Sequence, residues 1–264
     1  ANTVFHPDLV DALFEMSKKE YIWLDLISRH TPEIIANTGL FNIHALEIDD
    51  IVDLALVFSQ IIDFRNRFTA RHSAGVAKTA ERLAQLSGFS SHECKMMLIA
   101  GYLHDLGKIA ISHDILEKPS RLNEDEFNEI RTHTYYTYHL LEPLTQLKTI
   151  NTWASFHHEK LNGTGYPFHI AGESLPLGSR IMAVADVFTA LTEDRPYRLG
   201  MDFDKTRDVL RDMVASDELD GKVVKLLVNH FHEINTIRVD SQVEAAEKYK
   251  NFMLIPGSNC EHEI

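Results

Sequence analysis

Apolar residues recur along much of this chain three or four positions apart, with polar residues between them, which is the spacing of amphipathic helices. This pattern predicts helices over residues 1–30, 48–64, 71–88, 123–141, 150–159, 180–192, 203–215, 221–235 and, more weakly, 243–252. A further helix is predicted to begin at residue 90 and to continue through the apolar run 96–111. No run alternates as a strand does and no segment repeats, so the sequence predicts an all-α fold.

Start signals support several of these helices. Ser90-x-x-Glu93 and Asn123-x-x-Glu126 match the capping-box pattern, in which two side chains bond to the free backbone N–H groups of a helix start. Residues 48–64 are apolar almost all round, which predicts a buried helix. The N-terminal residues carry no visible chemistry, and we interpret them as a helical scaffold, a linker or a dimer element.

Composition excludes several classes of function. The chain has 264 residues, of which 44% are apolar and 25% charged, as in ordinary globular domains. A net charge of −13 argues against binding to a DNA or RNA polymer or to an anionic membrane surface. No apolar run reaches the length of a membrane span, and no signal peptide opens the chain. The start at Ala1, without a methionine, suggests processing or a piece of a longer protein.

The two cysteines, Cys94 and Cys260, match no metal-finger or redox spacing, so we expect a reducing, cytoplasmic location.

Candidate chemistry lies where polar residues interrupt apolar helical faces. A histidine or aspartate at one such position is usually a satisfied core residue or a helix cap. Here five histidines and two aspartates occupy such positions on five predicted helices, and helical bundles build metal sites from inward side chains of this kind. The candidate metal ligands are His72, His104, Asp105, His133, His157, His158 and Asp186.

The number of candidate ligands favours two metal ions. Seven side chains are too many for one ion with an open position, but a bridging Asp105 would give each of two ions four bonds. Imidazole and carboxylate donors without thiolates suit iron, manganese, nickel or zinc. His157 and His158 would project about 100° apart on a helix and could face different targets in one cavity. Two such ions can activate a water and stabilise an in-line phosphoryl displacement.

Two further features border this constellation. Lys108 follows His104 by four residues, which predicts a position on the same helix face, where it could hold a phosphate oxygen. The segment Leu161–Pro167 contains two glycines and a proline and predicts a turn directly after a candidate ligand pair. Ordinary surface charge and a purely structural turn are the alternatives.

The motif as a whole resembles a known family. His72, His104-Asp105-x-Gly107-Lys108 and Asp186 resemble the HD phosphohydrolase superfamily. With His133 and His157-His158-Glu159-x-x-Asn162-Gly163-x-Gly165-Tyr166-Pro167, the chain is similar to the HD-GYP family of bacterial cyclic-di-GMP phosphodiesterases. The likeness covers about residues 46–235.

The resemblance implies a helical bundle around a metal centre, usually of iron or manganese, and hydrolysis of cyclic-di-GMP to linear pGpG, sometimes on to GMP. It implies catalytic roles for Asp105 and Lys108. It also implies that the substrate contacts Lys108, Arg195, Arg198, Tyr166 and Gly165. The predicted domains are an N-terminal helical segment (1–45), the HD-GYP domain (46–235) and a C-terminal helix and tail (236–264).

The chain departs from the family pattern at several positions. Some members hold a third metal through a glutamate four residues before the first histidine, where this chain has Phe68, so we predict two metals. Asn162, Thr134, Thr137 and Thr189 replace other usual residues, and these changes could alter substrate preference.

Alternative interpretations are therefore a preference for another cyclic dinucleotide such as 3'3'-cGAMP, or a nucleotide-binding effector that does not hydrolyse its ligand. An upstream regulatory domain and a homodimer are further expectations.

Overall fold

The structure is a computed structural model that describes residues 7–18, 46–64, 71–118, 120–194 and 199–253. The chain divides into two compact units, Ala1–Leu46 and Glu47–Ile264. In the first unit the described residues form one helix, α1 (Pro7–Met16). Most of the predicted helix over residues 1–30 therefore lies outside the described residues.

The second unit is built from helices, and the described residues contain no strand, which confirms the predicted all-α class. Its α-helices are α2 (Ile48–Phe64), α3 (His72–Leu86), α4 (Ser91–Leu103), α5 (His113–Leu116), α6 (Glu124–Leu141), α7 (Lys148–Ser155), α8 (Leu177–Thr192), α9 (Phe203–Ala215), α10 (Gly221–Asn229) and α11 (Phe231–Met253). Short 3-10 helices span Leu106–Ala110, Thr145–Leu147 and Gly172–Ser174. Among the described helices, none is long and apolar enough to cross a bilayer.

The centre of the unit is the packing of α3 against α4. Small residues make this contact close: a Cβ on Gly101 of α4 would lie 2.4 Å from the Cα of Ala77 in α3. α3 also packs against α8 and α11, while α4 packs against α2 and α7. The close pair brings the start of α3 beside the end of α4, where two of the candidate ligands lie.

The apolar face of α8 is among the most deeply buried surfaces of the core. Ile181, Met182, Val184, Ala185 and Phe188 are all fully buried. Burial of this kind contributes about 1.5–3 kcal/mol for each large apolar side chain, so the core fixes the position of the aspartate within this helix.

The capping boxes are both present. The Ser90 hydroxyl accepts the Glu93 N–H at 3.3 Å, and the Asn123 side chain accepts the Glu126 N–H at 2.9 Å. Each glutamate in turn accepts the backbone N–H of its capping residue. These contacts fix the starts of α4 and α6.

Two predictions of helix extent and burial are wrong. Residues 221–235 do not form one helix, because α10 ends before His230 and α11 then continues to Met253, through the predicted weak helix. α2 is not buried all round. Leu54, Val57 and Phe58 are about half exposed, because the helix packs on α4 with one face only.

Candidate metal centre

Seven polar side chains of the second unit converge on one place, which we call the His/Asp cluster. Their ligand atoms form three overlapping groups, and within each group all atoms lie within 4.8 Å of one another. The groups are His72, His104 and Asp186; His104, Asp105 and His157; and His133, His157 and His158. The structure thus brings together all seven residues that the sequence indicated as candidate ligands.

α3 and α8 supply one side of the cluster. His72 is the first residue of α3, and its Nε2 lies 3.1 Å from Oδ1 of Asp186 in α8. The Nδ1 of His72 lies 3.1 Å from Oε2 of Glu193, which follows α8 directly. The same Oε2 accepts a hydrogen bond of 3.2 Å from the side-chain amide of Gln242 in α11. His72 is therefore held between two buried carboxylates.

The His104–Asp105 pair lies at a junction. α4 ends at Leu103, and Asp105 precedes the 3-10 helix Leu106–Ala110, so the prediction of one helix carrying both residues is wrong. Because the apolar run 96–111 continues through the junction, the sequence pattern does not show the change from α-helix to 3-10 helix. Oδ2 of Asp105 lies 3.3 Å from Nε2 of His104, and its Oδ1 lies 3.3 Å from Nε2 of His133. The two carboxylate oxygens thus face different histidines.

Gly107 allows α6 to approach this junction. A Cβ on Gly107 would lie 1.9 Å from the carbonyl oxygen of His133, so no larger residue fits. The Gly107 N–H donates to Oγ1 of Thr137 at 2.9 Å, and the Thr137 hydroxyl donates to the carbonyl oxygen of His104 at 3.1 Å. Thr137 therefore ties α6 to the junction and holds His133 in place.

His157 and His158 follow α7 rather than ending it. α7 stops at Ser155, so the predicted helix through residue 159 is too long and its 100° geometry does not apply. Nε2 of His157 lies 3.3 Å from Nε2 of His133, while Nδ1 of His158 lies 3.8 Å from Oδ2 of Asp186. The two neighbours still face different partners, as the sequence suggested.

Glu159 gives a physical reason for the early end of α7. Its side chain is 1% exposed and accepts the backbone N–H groups of Phe168 and Ile170, at 2.6 and 3.0 Å. These bonds hold the loop at residues 168–170 against the Glu159 side chain. A helix continued through residue 159 would not allow this contact.

Backbone hydrogen bonds orient three imidazoles of the cluster. Nδ1 of His104, His133 and His157 lies 2.7, 2.6 and 2.6 Å from the carbonyl oxygen three residues earlier. Because a carbonyl oxygen only accepts, each imidazole in its neutral form carries its proton on Nδ1 and points the lone pair of Nε2 into the cluster. Metal-binding histidines are fixed in this way.

The pairing of His133 with His157 fits a cation. Burial lowers the pKa of His133 to about 3 and that of His157 well below its usual value, so both rings are neutral. Their Nε2 lone pairs then face each other at 3.3 Å with no proton to share. A divalent ion coordinated by both nitrogens would satisfy them, since neutral imidazole is a common metal ligand.

The other half of the cluster fits a cation for a different reason. Burial alone lowers the pKa of His72, but Glu193 and Asp186 outweigh it and raise that pKa to about 10. The pKa of Asp105 is held well below its usual range by His104 and Lys108 despite burial. Without a metal, protons bound to neighbouring groups balance the negative charge of these carboxylates. Metal binding would release those protons. The donor set therefore fits divalent metal ions.

Lys108 and His158 lie on the accessible side of the cluster. Their side chains are 21% and 31% exposed, whereas that of Asp105 is 5% exposed. Nζ of Lys108 lies 2.5 Å from Oδ2 of Asp105. The lysine is in the 3-10 helix, three residues after its partner, so the predicted position on the His104 face of one helix is wrong.

The turn after the ligand pair borders the cluster through Tyr166. Its N–H donates to the carbonyl oxygen of His158 at 3.2 Å, and the two ring centroids are 4.9 Å apart. Gly165 is buried, and a Cβ there would lie 2.5 Å from the carbonyl oxygen of His158. The structure gives this glycine a packing role, and its predicted contact with the substrate stays a prediction.

Arg195 and Arg198, the other predicted substrate contacts, and Phe68 are outside the described residues. Two histidines close to the motifs in sequence, His113 and His139, are exposed and contact glutamates that directly follow their own helices, so neither joins the cluster.

Three residues near the cluster were missed by the sequence interpretation. Glu193 and Gln242 support His72, although they are distant from it in sequence. Asp63 of α2 is 3% exposed and accepts a hydrogen bond of 2.9 Å from Ser73. Burial, followed by the nearby Asp105, raises the pKa of Asp63 to about 7. The spacing of Ser59 and Asp63, one helical turn apart in an apolar helix, was the available signal.

The sequence matches a known protein family over most of the second unit. The family model described as HD domain matches residues 56–223, more than half of the chain. The chain belongs to the HD domain family. The resemblance to HD-GYP proteins that the motif indicated is confirmed.

Known HD domain proteins similar to this chain include phosphodiesterases. The chain is 32% identical over 233 residues to a 3'3'-cGAMP-specific phosphodiesterase of Vibrio cholerae, covering 87% of the chain and 54% of that relative. It is 39% identical over 143 residues to a cyclic di-GMP phosphodiesterase response regulator of Xanthomonas campestris, covering 53% and 38%. The solved structure of a cyclic GMP-AMP specific phosphodiesterase of V. cholerae matches with a TM-score of 0.54 and 25% identity, covering 86% and 52%. The chain spans about half the length of these relatives, or less.

Proposed function

We propose that this HD domain is a metal-dependent phosphodiesterase that hydrolyses cyclic di-GMP to linear pGpG. The observation that carries the proposal is the convergence of seven imidazole and carboxylate ligands, with Lys108 beside them, in one buried cluster with an accessible side. Similarity to cyclic dinucleotide phosphodiesterases supports the same reaction class.

The three ligand groups suggest how two ions would be held. His72, His104 and Asp186 would hold one ion, and His133, His157 and His158 would hold the other. Asp105 would bridge them, because its two oxygens face a histidine of each group. Iron or manganese is the expected metal, with nickel or zinc as alternatives.

Lys108 and Tyr166 would have separate roles beside the metal ions. When bound, two divalent ions supply polarisation of the phosphate and a water of lowered pKa. Asp105 raises the pKa of Lys108 despite burial, so the ammonium stays charged and can bind a non-bridging phosphate oxygen. Tyr166, whose ring lies tilted against that of His158, would border the nucleotide on the accessible side.

3'3'-cGAMP is the second candidate substrate. The relative that matches 87% of this chain is named as 3'3'-cGAMP-specific, whereas the cyclic di-GMP phosphodiesterase response regulator matches 53%. Both substrates contain the same phosphodiester linkages, so the same cluster could act on either. A nucleotide-binding effector without hydrolysis is the third candidate, and a complete ligand set argues against it.

Product analysis tests these proposals. Protein loaded with Mn²⁺ or, anaerobically, with Fe²⁺ is incubated in parallel with cyclic di-GMP and 3'3'-cGAMP, and products are identified by mass spectrometry. We expect linear dinucleotides from the wild type and none from Asp105→Ala. His113→Ala, an exposed histidine outside the cluster, is the matched control and should keep its activity.

The outcomes separate the candidates. Turnover by Asp105→Ala at the wild-type rate would contradict the role of the cluster. Tight binding of either nucleotide without any product would favour the effector. The relative rates identify the preferred substrate and show whether hydrolysis continues to GMP. The cytoplasmic location, the homodimer and the upstream regulatory domain stay predictions.

A further inference from the structure

One arginine near the His/Asp cluster has no carboxylate partner among the described residues. Arg131 lies in α6, and its Nε is buried without a hydrogen-bond partner in the described part of the chain. Arg82, Arg180 and Arg207 each pair with a carboxylate. Arg71, Arg121 and Arg211 also have no ion pair among the described residues, but all three are exposed, whereas Arg131 is partly buried. The Arg131 guanidinium is therefore partly buried and is not taken up by a carboxylate of the described residues.

Two aromatic rings fix the position of this guanidinium. Its central carbon lies 4.7 Å from the ring centroid of Tyr166 and 5.4 Å from that of Phe127. Phe127 precedes Arg131 by one helical turn on α6, and Tyr166 comes from the turn after the ligand pair. A guanidinium stacked on aromatic faces keeps its N–H edge free for paired hydrogen bonds in a fixed plane.

The same tyrosine connects Arg131 to the cluster. The Tyr166 ring contacts Arg131 and also contacts the ring of His158, with centroids 4.9 Å apart. The His158 side chain is 31% exposed, more than the side chains of the other candidate ligands. The Tyr166 ring therefore connects Arg131 to His158 on the accessible side of the cluster.

We propose that Arg131 binds a guanine base of the substrate through the O6 and N7 acceptors of that base. The inference rests on the proposed function. Guanine is common to the substrates named for the relatives, 3'3'-cGAMP and cyclic di-GMP. In DNA recognition, paired hydrogen bonds from arginine to these two acceptors are the commonest specific contact with a base.

Position distinguishes a base contact from a contact with the reacting phosphate. Lys108 already lies against Asp105 inside the cluster, where the reacting phosphate would bind. Arg131 contacts the Tyr166 ring, which in turn contacts His158, and no ion pair joins Arg131 to a carboxylate of the cluster among the described residues. A nucleotide with its phosphate at the cluster would extend its base toward this arginine.

Replacement by glutamine tests the contact. Arg131→Gln removes the charge and the guanidinium fork, and it introduces an amide whose natural partner is adenine N6 and N7. Values of kcat/KM are measured for cyclic di-GMP, cyclic di-AMP and bis(p-nitrophenyl) phosphate, a diester that carries no base. We expect the loss on cyclic di-GMP to exceed the loss on the other two by about tenfold or more. Arg211→Gln, on the exposed surface of α9, should show no such difference.

A second measurement leaves the protein unchanged. The 7-deaza analogue of cyclic di-GMP lacks the N7 acceptor, so the wild type should hydrolyse it less efficiently by several-fold, while Arg131→Gln should barely distinguish the two substrates. This comparison remains informative if the variant folds poorly, because the wild-type preference is measured alone.

The outcomes are distinct. Equal losses of kcat/KM on all three diesters would show that Arg131 acts only through its charge and would overturn the guanine contact. Equal kcat/KM of the wild type for cyclic di-GMP and its 7-deaza analogue would also overturn it. A wild type that hydrolyses no cyclic dinucleotide would overturn the proposed function, and this inference with it. If the wild type hydrolyses cyclic di-GMP and Arg131→Gln does so with the same kcat/KM, this inference alone is overturned.

Discussion

Glu193 should determine how tightly the His/Asp cluster binds metal, although it is not among the candidate ligands. Its Oε2 lies 3.1 Å from Nδ1 of His72, while the opposite nitrogen of that ring faces Asp186. The carboxylate is buried and also accepts the Gln242 amide at 3.2 Å. A carboxylate in this position fixes the orientation of the ring and makes it a better electron donor to a metal.

The size of the effect follows from the hydrogen bond that changes. Glu193→Gln keeps the volume and one acceptor oxygen but removes the charge. Hydrogen bonds to charged groups contribute about 1.5–3 kcal/mol and neutral ones about 1 kcal/mol, so the variant should lose about 1.4 kcal/mol. That loss corresponds to an increase of about tenfold in the dissociation constant of the metal. Glu193→Ala should lose more, because it leaves the partners of the carboxylate unpaired.

Competition between the protein and a chromophoric chelator for Mn²⁺ measures this constant directly. Glu233→Gln is the matched control, because it removes a carboxylate from a partly exposed ion pair with Arg82. Its dissociation constant should equal that of the wild type. A Glu193→Gln variant that binds Mn²⁺ as tightly as the wild type would refute the orienting role of Glu193.

Two further predictions concern stability. Gly107→Ala should destabilise the protein in urea by about 3 kcal/mol or more, because its Cβ meets backbone at 1.9 Å. Gly172→Ala, at a positive φ in open space, should cost only about 1 kcal/mol, and equal losses would contradict the packing argument. With a native pKa raised to about 7, Asp63 binds more protons folded than unfolded, so metal-free wild type should lose stability relative to Asp63→Asn as pH rises from about 4 to 7. A stability difference that is constant with pH would contradict the raised pKa.

The candidate ligands were predictable because each interrupts an apolar pattern. His133 and Asp186 lie within long helices whose apolar periodicity is clear, and a buried polar residue there needs a partner. His72 begins a helix whose small residues pack closely in the core. The all-α class followed from the same periodicity. The likeness to a family then connected these separate positions.

Local geometry at the ends of helices was not predictable in the same way. The end of α4 before His104 and the end of α7 before His157 depend on contacts with distant segments, such as Thr137 bonding to the carbonyl oxygen of His104. Glu159 turns the chain by bonding to a loop that follows it. Periodicity reports which face of a segment is apolar, but not where tertiary contacts end the helix.

The supporting residues were missed for a related reason. Glu193 and Gln242 are 121 and 170 positions away from His72 in sequence, so only the fold brings them to its ring. Arg131 resembles any surface arginine until its position between Phe127 and Tyr166 is known. Residues that act through a neighbour leave no regular spacing in the sequence.

The metal content of the purified chain tests the central claim most directly. Elemental analysis of protein reconstituted with Mn²⁺ or Fe²⁺ and then desalted should find about two ions per chain in the wild type. Asp105→Ala, which removes the proposed bridge, should retain fewer than the wild type, while His113→Ala should retain both. A wild type that binds no metal, or an Asp105→Ala variant that keeps both ions, would contradict the assignment of the His/Asp cluster as a metal centre bridged by Asp105.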